Sequence, residues 1–243
     1  MRVFVMGDIH GSARALKQCL ERSGFDKDVD KLIQLGDVAD GWDDTPECVE
    51  ILLSIKNLVA IRGNHDVWCH DWIKYKDAPN NWLKQGGEAT VRSYVDKKLI
   101  QDERHVKFWE DQVDWYIDDE NRLFVHAGWD YTHHGDFERQ ASLRVDAGSI
   151  SRECHWDREL YRSALSLRNR RELDSFKPLK QFKEVYIGHT SHDKGEPFWV
   201  GNLCNMDTGA GWNGQLCIMD MNTREFWLSD RSKDLYPDSK GRG

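Results

Sequence analysis

Five times in this chain a short apolar run stops and a residue able to hold a metal ion follows within a few positions. Phe4-Val5-Met6 leads to Gly7-Asp8-Ile9-His10-Gly11, and Leu32-Ile33-Gln34-Leu35 leads to Gly36-Asp37. Leu58-Val59-Ala60-Ile61 leads to Arg62-Gly63-Asn64-His65-Asp66, Leu123-Phe124-Val125 to His126-Ala127-Gly128, and Val185-Tyr186-Ile187 to Gly188-His189-Thr190. Carboxylate, imidazole and amide donors in one set suit Mn, Fe or Zn better than Ca. One carboxylate can bridge two such ions ~3.5–4 Å apart. The pair then lowers the pKa of a bound water, so that hydroxide is available near neutral pH, and neutralises charge developing on a phosphoryl group. Such chemistry also needs a proton donor for the leaving oxygen and cations for the remaining phosphate oxygens. His65, beside Asn64, is a candidate donor. Arg62 and Arg158 are candidate phosphate clamps, because a guanidinium matches phosphate oxygens in a bidentate way.

Each residue has an ordinary alternative reading. Asp8 and His10 after a strand suit a turn or a cap, and Gly-Asp and Gly-Asn are common turn pairs. His126 and His189 could be satisfied core histidines, and Arg158 lies in a charged stretch whose arginines usually face solvent. The recurrence decides between the readings, because loops at the carboxyl ends of strands in an α/β sheet converge on one edge, where ligands bind. The other six histidines (His70, His105, His133, His134, His155 and His192) have no such placement and read as surface or packing residues.

The elements that must position these loops are legible mainly in the first third. Arg2–Met6, Lys31–Leu35 and Asn57–Ile61 read as strands. Between them, Ala13–Glu21 has helical spacing with Ser12 as N-cap, and Thr45-Pro46 starts a second helix with Thr at N-cap and Pro at N1. This βαβαβ order predicts a sheet covered by helices. Positions 66–120 read as helices and loops, with Asp114–Glu120 as a solvated acidic face, and 130–183 reads as mostly helical. Arg122–Val125, Glu184–Ile187, Leu203–Met206, Gln215–Met221 and Glu225–Leu228 read as strands, the last two joined by a turn at Asn222-Thr223. The tail after Ser229 has few apolar residues and is expected to fray.

The chain of 243 residues, 39% hydrophobic and 31% charged, reads as one globular domain spanning 1–243. Its apolar runs are too short for a membrane span. No CxxC pair occurs among the six cysteines, which argues against a zinc ribbon. With a candidate ligand motif already at Gly7 a cleaved signal peptide is not expected, and free thiols in the cytoplasm follow. A net charge of −8 argues against charge-driven nucleic-acid binding. It leaves phosphate chemistry open, since bound metals add local positive charge.

The blocks Gly7-Asp8-Ile9-His10-Gly11, Gly36-Asp37-Val38-Ala39-Asp40-Gly41, Gly63-Asn64-His65-Asp66, His126-Ala127-Gly128 and Gly188-His189-Thr190 resemble the signature of the PPP-type serine/threonine phosphoprotein phosphatases, within the calcineurin-like metallophosphoesterases. The resemblance is greatest to the bacterial and phage branch typified by bacteriophage lambda phosphatase, which Asn81-Trp82-Leu83 with Gly86-Gly87, Trp156-Asp157-Arg158 and Asp207-Thr208-Gly209-Ala210 also fit. It implies an α/β fold with a central β-sandwich flanked by helices. It implies one ion held by Asp8, His10 and a bridging Asp37, and a second held by Asp37, Asn64, His126 and His189, with Mn, or an Fe/Zn pair, as the metals. His65 would be the general acid oriented by Asp40, and Arg62 and Arg158 would hold phosphate. The implied reaction is hydrolysis of phosphate monoesters by metal-bound hydroxide, on phosphoserine, phosphothreonine or phosphotyrosine of a phosphorylated protein, or on a small phosphoester.

One departure bears on the substrate. The second block usually ends Asp-Arg-Gly but here reads Asp40-Gly41-Trp42, so a phosphate-binding arginine of the family is absent. Asp66 stands where Glu is usual, a smaller change. The expectation is that Trp42 or a loop residue reshapes that wall of the cleft, and Trp129 is a second candidate lining residue. The missing arginine keeps an alternative open: a nucleotide phosphoesterase acting on a dinucleoside polyphosphate, a cyclic nucleotide or a nucleic-acid end. A non-catalytic scaffold is the reading from another class, and the complete ligand set argues against it.

Overall fold

In a computed structural model the described residues are 1–128, 153–167, 172 and 180–242. The first half follows the expected alternation: β1 (Val3–Met6), α1 (Ala13–Arg22), β2 (Lys31–Gln34), α2 (Thr45–Leu53) and β3 (Asn57–Ala60). Then come α3 (Asn64–Tyr75), α4 (Asn80–Trp82), α5 (Glu88–Lys97) and α6 (Glu103–Asp111). The second half adds β4 (Trp115–Ile117), β5 (Arg122–Val125), α7 (Glu159–Ser166), β6 (Glu184–Ile187), β7 (Phe198–Val200), β8 (Leu203–Asn205), β9 (Cys217–Asp220), β10 (Phe226–Leu228) and α8 (Ser232–Leu235).

The strands form two five-stranded sheets, ordered β10-β9-β1-β2-β3 and β4-β5-β6-β8-β7. Parallel strands sit at the centre of each, and antiparallel strands lie at the β10-β9 edge of one and at both edges of the other. Side chains alternate across both sheets as the pleat requires. Phe4, Met6 and Leu32 face outward into a core under α1, α2, α3, α5 and α6, whereas Val5 and Ile33 face the other sheet. Leu123, Val125, Val185 and Ile187 pack outward against α7, whereas Phe124 and Tyr186 face inward and stack with ring centroids 5.1 Å apart. The result is a helix–sheet–sheet–helix sandwich, the α/β architecture expected. Burial on both faces explains why its central strands read as nearly continuous apolar runs.

Local expectations fail where a side chain has another task. Ser12 stands at the N-cap of α1, but its hydroxyl makes no capping bond. Asp44, not Thr45, is the N-cap residue of α2, and the Thr45 hydroxyl meets that of Thr90 at 3.1 Å. The acidic stretch Asp114–Glu120 is not a uniform solvated face. It contains β4, and Asp118 accepts from the buried Arg122 guanidinium at 2.6 Å. The β9–β10 turn is held by Asp220, whose carboxylate accepts from the backbone of Asn222 and Thr223 at 2.8 and 3.2 Å.

The tail is the largest correction. Residues after Ser229 form α8 and then pack back over the molecule. Tyr236 is buried, stacks on Trp42 at 5.3 Å, and donates from its hydroxyl to Asp44 at 2.8 Å. One aromatic ring with a satisfied hydroxyl gives this polar segment an anchor that composition does not reveal. Among the described residues no helix is long and apolar enough to cross a membrane. The six cysteines are buried free thiols, and burial pushes the Cys19 thiol up to about 12.

Candidate metal centre

All six candidate ligands meet at the carboxyl ends of strands from both sheets. Asp8 and His10 follow β1, Asp37 follows β2, Asn64 opens α3 just after β3, His126 follows β5, and His189 follows β6. Every one is buried. Asp37 lies between two groups of donors. One of its oxygens is 3.6 Å from His10 Nε2, and the other is 3.4 Å from His126 Nε2. Asn64 Oδ1 stands 3.2 Å from His126 Nε2 and 2.9 Å from His189 Nδ1. Two clusters of possible ligand atoms therefore share Asp37: Asp8, His10, Asp37 and Asp37, His126, His189.

The surroundings aim these donors inward. His126 Nδ1 donates to the Leu35 carbonyl at 2.7 Å, and His10 Nδ1 to the Ala39 carbonyl at 3.1 Å. Each bond leaves the Nε2 lone pair facing the cluster, the arrangement that fixes tautomer and ring direction for a metal-ligating histidine. Burial holds His10 and His189 well below the usual histidine range, helped by Arg242 and His126 respectively, so both imidazoles are neutral and competent to coordinate. His189 Nε2 is buried without a partner.

The carboxylates carry strain of their own. Burial, with Asp207 and Asp37 nearby, pushes the Asp8 carboxyl well above its usual range. Burial works the same way on Asp37, but its imidazole neighbours, His126 foremost, hold it well below the usual range. Three buried acids so close together are what a divalent cation would relieve, and the donor set fits such ions. The backbone is strained in the same place: His10, Asp37, Asp40 and His189 have φ of 52°, 53°, 74° and 66°. For residues with a side chain this left-handed conformation costs of order 1–3 kcal/mol each and persists only where the surroundings impose it.

His65 sits beside the cluster, its ring 5.1 Å from that of His10. Its Nδ1 donates to Asp40 at 2.5 Å, leaving Nε2 buried and without a partner. Asp40 is held in turn by the Trp82 indole N–H at 2.6 Å and the Thr90 hydroxyl at 2.9 Å. Asp66 ties two ligand loops together. It accepts from the backbone of Val38, Ala39 and Gly63 at 2.8, 3.1 and 3.0 Å.

A cleft of about 250 Å³ opens over the cluster, lined by Asn64, Trp68, Asn81, Gln85, Trp156, Arg158, His189 and Arg242. Arg158 reaches it from the start of α7 and donates to the Thr190 hydroxyl at 3.1 Å. Arg62 does not line it, contrary to the expected clamp. Its guanidinium donates to the carbonyls of Trp109 and Glu110 at 2.8 and 3.2 Å, where the end of α6 gathers negative partial charge. Trp42 is not a cleft wall either. It is fully buried, and its indole donates to the Ala210 carbonyl at 2.7 Å. Trp129 lies outside the described residues. Two residues beside the cluster had no role assigned from sequence. Asp207, raised to about 6 chiefly by burial, neighbours Asp8; its motif block was visible but not its depth. Arg242, whose Nη1 is 3.2 Å from His10 Nε2, comes from the tail and has no sequence signal.

Residues 1–193 match the family described as calcineurin-like phosphoesterase. A bis(5'-nucleosyl)-tetraphosphatase PrpE (asymmetrical) of Bacillus anthracis is 28% identical over 236 residues, covering 90% of each chain. One of Bacillus thuringiensis is 27% identical over 236 residues, again 90% of each. Among solved structures, a protein serine/threonine phosphatase from Saccharomyces cerevisiae superposes with a TM-score of 0.64 at 14% identity, covering 99% of this chain and 82% of that one. A metallophosphoesterase from Sphaerobacter thermophilus gives 0.55 at 17% identity, covering 95% and 88%. Neither curated relative is a lambda-type phosphatase, so the branch expected from sequence gives way to the wider superfamily. The chain belongs to the calcineurin-like phosphoesterases, metal-dependent hydrolases of phosphate esters.

Proposed function

We propose that this phosphoesterase acts on nucleotide polyphosphates, with a dinucleoside tetraphosphate as its reference substrate. The observation that carries the reading is the pair of tryptophans beside the ligand cluster. Trp68 and Trp156 meet edge to face at 6.1 Å in the cleft that also holds Arg158 and Arg242. Aromatic surface next to guanidinium groups suits a base joined to a phosphate chain. The tetraphosphatase names of relatives matched along nine-tenths of the chain support the same class. This replaces the phosphoprotein substrate as first choice.

Asp8, His10 and Asp37 would hold one divalent ion, and Asp37, Asn64, His126 and His189 a second, with Mn as the first metal to try. Ions bound there supply Lewis acidity that activates water and screens the phosphoryl oxygens. The chain supplies the rest. Arg158 binds a phosphate oxygen. A proton on His65 Nε2 passes to the leaving oxygen, while Asp40 holds the opposite nitrogen and stabilises the charged ring before transfer. Trp82 and Thr90 keep Asp40 from turning away.

The test is a panel with Mn: diadenosine tetraphosphate, cyclic AMP, phosphoserine and phosphotyrosine peptides, and p-nitrophenyl phosphate. The expected result is a kcat/KM for the dinucleotide at least about 100-fold above that for either peptide, a preference worth ~2.7 kcal/mol. A preference of that size for a peptide overturns the proposal and restores the phosphoprotein reading.

A further inference from the structure

We propose that Arg242 is a phosphate-binding residue of this site, carried in by the tail to the place where Gly41 offers no side chain. The inference rests on phosphoester hydrolysis by the cluster described above, but not on which ester is cleaved.

The first observation is a track built for the side chain. A Cβ added at Gly41 would stand 3.2 Å from Arg242 Cγ, one at Gly86 3.3 Å from the same atom, and one at Gly211 2.8 Å from Cδ. Three glycines from separate loops thus form a slot that only bare backbone leaves wide enough. Gly41 and Gly86 have φ of +94° and +105°, so their loops need glycine there twice over. The Arg242 backbone N–H donates to the Gly211 carbonyl at 3.1 Å, and the guanidinium lies 5.0 Å from the centre of the Trp212 ring.

The second observation is the state of the charged end. Among the described residues Arg242 makes no ion pair within 4 Å, although acidic residues are plentiful. Its Nε is buried without a partner, and Nη1 donates to the lone pair of His10 Nε2. That nitrogen cannot serve the guanidinium and a cation together. A cation taken up by His10 would release Nη1 while the slot still holds the stem, leaving the donors of Arg242 in the cleft that Arg158 also lines. Two guanidinium groups with no carboxylate within 4 Å among the described residues, beside a cluster suited to cations, suit the non-reacting oxygens of a phosphate or phosphate chain.

The test uses the full chain loaded with Mn, with inorganic phosphate as probe. Arg242→Met keeps most of the stem and removes the charge, and Arg242→Lys keeps a point charge. Isothermal titration of orthophosphate should show Kd raised about 10- to 100-fold in Arg242→Met, the range for losing a hydrogen bond to a charged group. Arg242→Lys should recover part of it. KM for p-nitrophenyl phosphate should rise in parallel while kcat changes little. Lys240→Ala, in the same tail segment, should leave Kd unchanged. Thermal melting of each variant checks that the tail still packs. Unchanged phosphate affinity in a well-folded Arg242→Met overturns the inference, and unchanged phosphate affinity with tighter Mn binding would make Arg242 a plug of the metal site. Wild-type protein that neither binds phosphate nor cleaves any ester would sink the hydrolase reading itself, and this inference with it.

Discussion

At the scale of single residues, the site depends on hydrogen bonds that fix which nitrogen faces inward. Those bonds make His65 separable from the candidate ligands, because its Nδ1 is committed to Asp40 and its Nε2 has no hydrogen-bond partner. His65→Asn should therefore lower kcat by about 10²- to 10⁴-fold, the usual share of a general acid, with Mn content unchanged by atomic absorption. Loss of the metal along with the activity would show that His65 belongs to the ligand set instead. The convergence of the candidate ligands was legible because each type of donor recurs at one kind of place, just past an apolar run. Arg62 was not, since a long side chain next to a motif can turn either way, and the end of α6 offers it carbonyls. Arg242 was invisible for a simpler reason: 232 residues separate it from His10, and no local pattern encodes a contact of that span.

At the scale of elements, glycines at strand ends let one loop's backbone pass against another loop's carboxylate. A Cβ at Gly188 would stand 2.1 Å from Asp8 Oδ1, and one at Gly63 2.2 Å from Asp37 Oδ1. Neither position has an unusual φ, so crowding alone is at issue. Gly188→Ala should displace the Asp8 carboxylate, reduce bound Mn to about one ion per chain or fewer, and lower activity by more than about 100-fold. Full metal occupancy and activity in a folded Gly188→Ala protein would show that Asp8 is free to move aside. The central strands of both sheets were legible from their apolar runs. The edge strands β4 and β7 were not: each is three half-buried residues rich in tryptophan and its neighbours, a pattern equally suited to a loop packed on a core. Helix starts were misplaced by one residue at α2 because Thr45 and Asp44 are both good capping types, and only the contact with Thr90 separates them.

At the scale of the molecule, the sandwich interface holds the two halves of the site in register. Phe124 and Tyr186 stack there, nearly parallel at 9°, with Val5, Ile33, Met206 and Met219 around them. Phe124→Ala should cost about 3–5 kcal/mol, and differential scanning calorimetry should find Tm lower by roughly 6–20 °C. A shift below about 2 °C would mean the sheets are held together elsewhere. The layered architecture followed from the order of strands and helices, but the tail did not, because Tyr236 and Trp42 pair across the whole chain.

The division of Asp37 between two donor groups has a mechanical side. Its partners Asp8 and His10 hang from the same sheet as Asp37 itself, whereas His126 and His189 hang from the other. An ion in the first position would have all three of its side chains on one sheet, with the other sheet reaching it through Gly188 and the His189 N–H against Asp8. An ion in the second would sit astride the joint, a rivet whose fit reports the alignment of the two plates. The two candidate positions would thus be unequal by construction: damage along the seam would reach one of them first, and filling that one would clamp the seam.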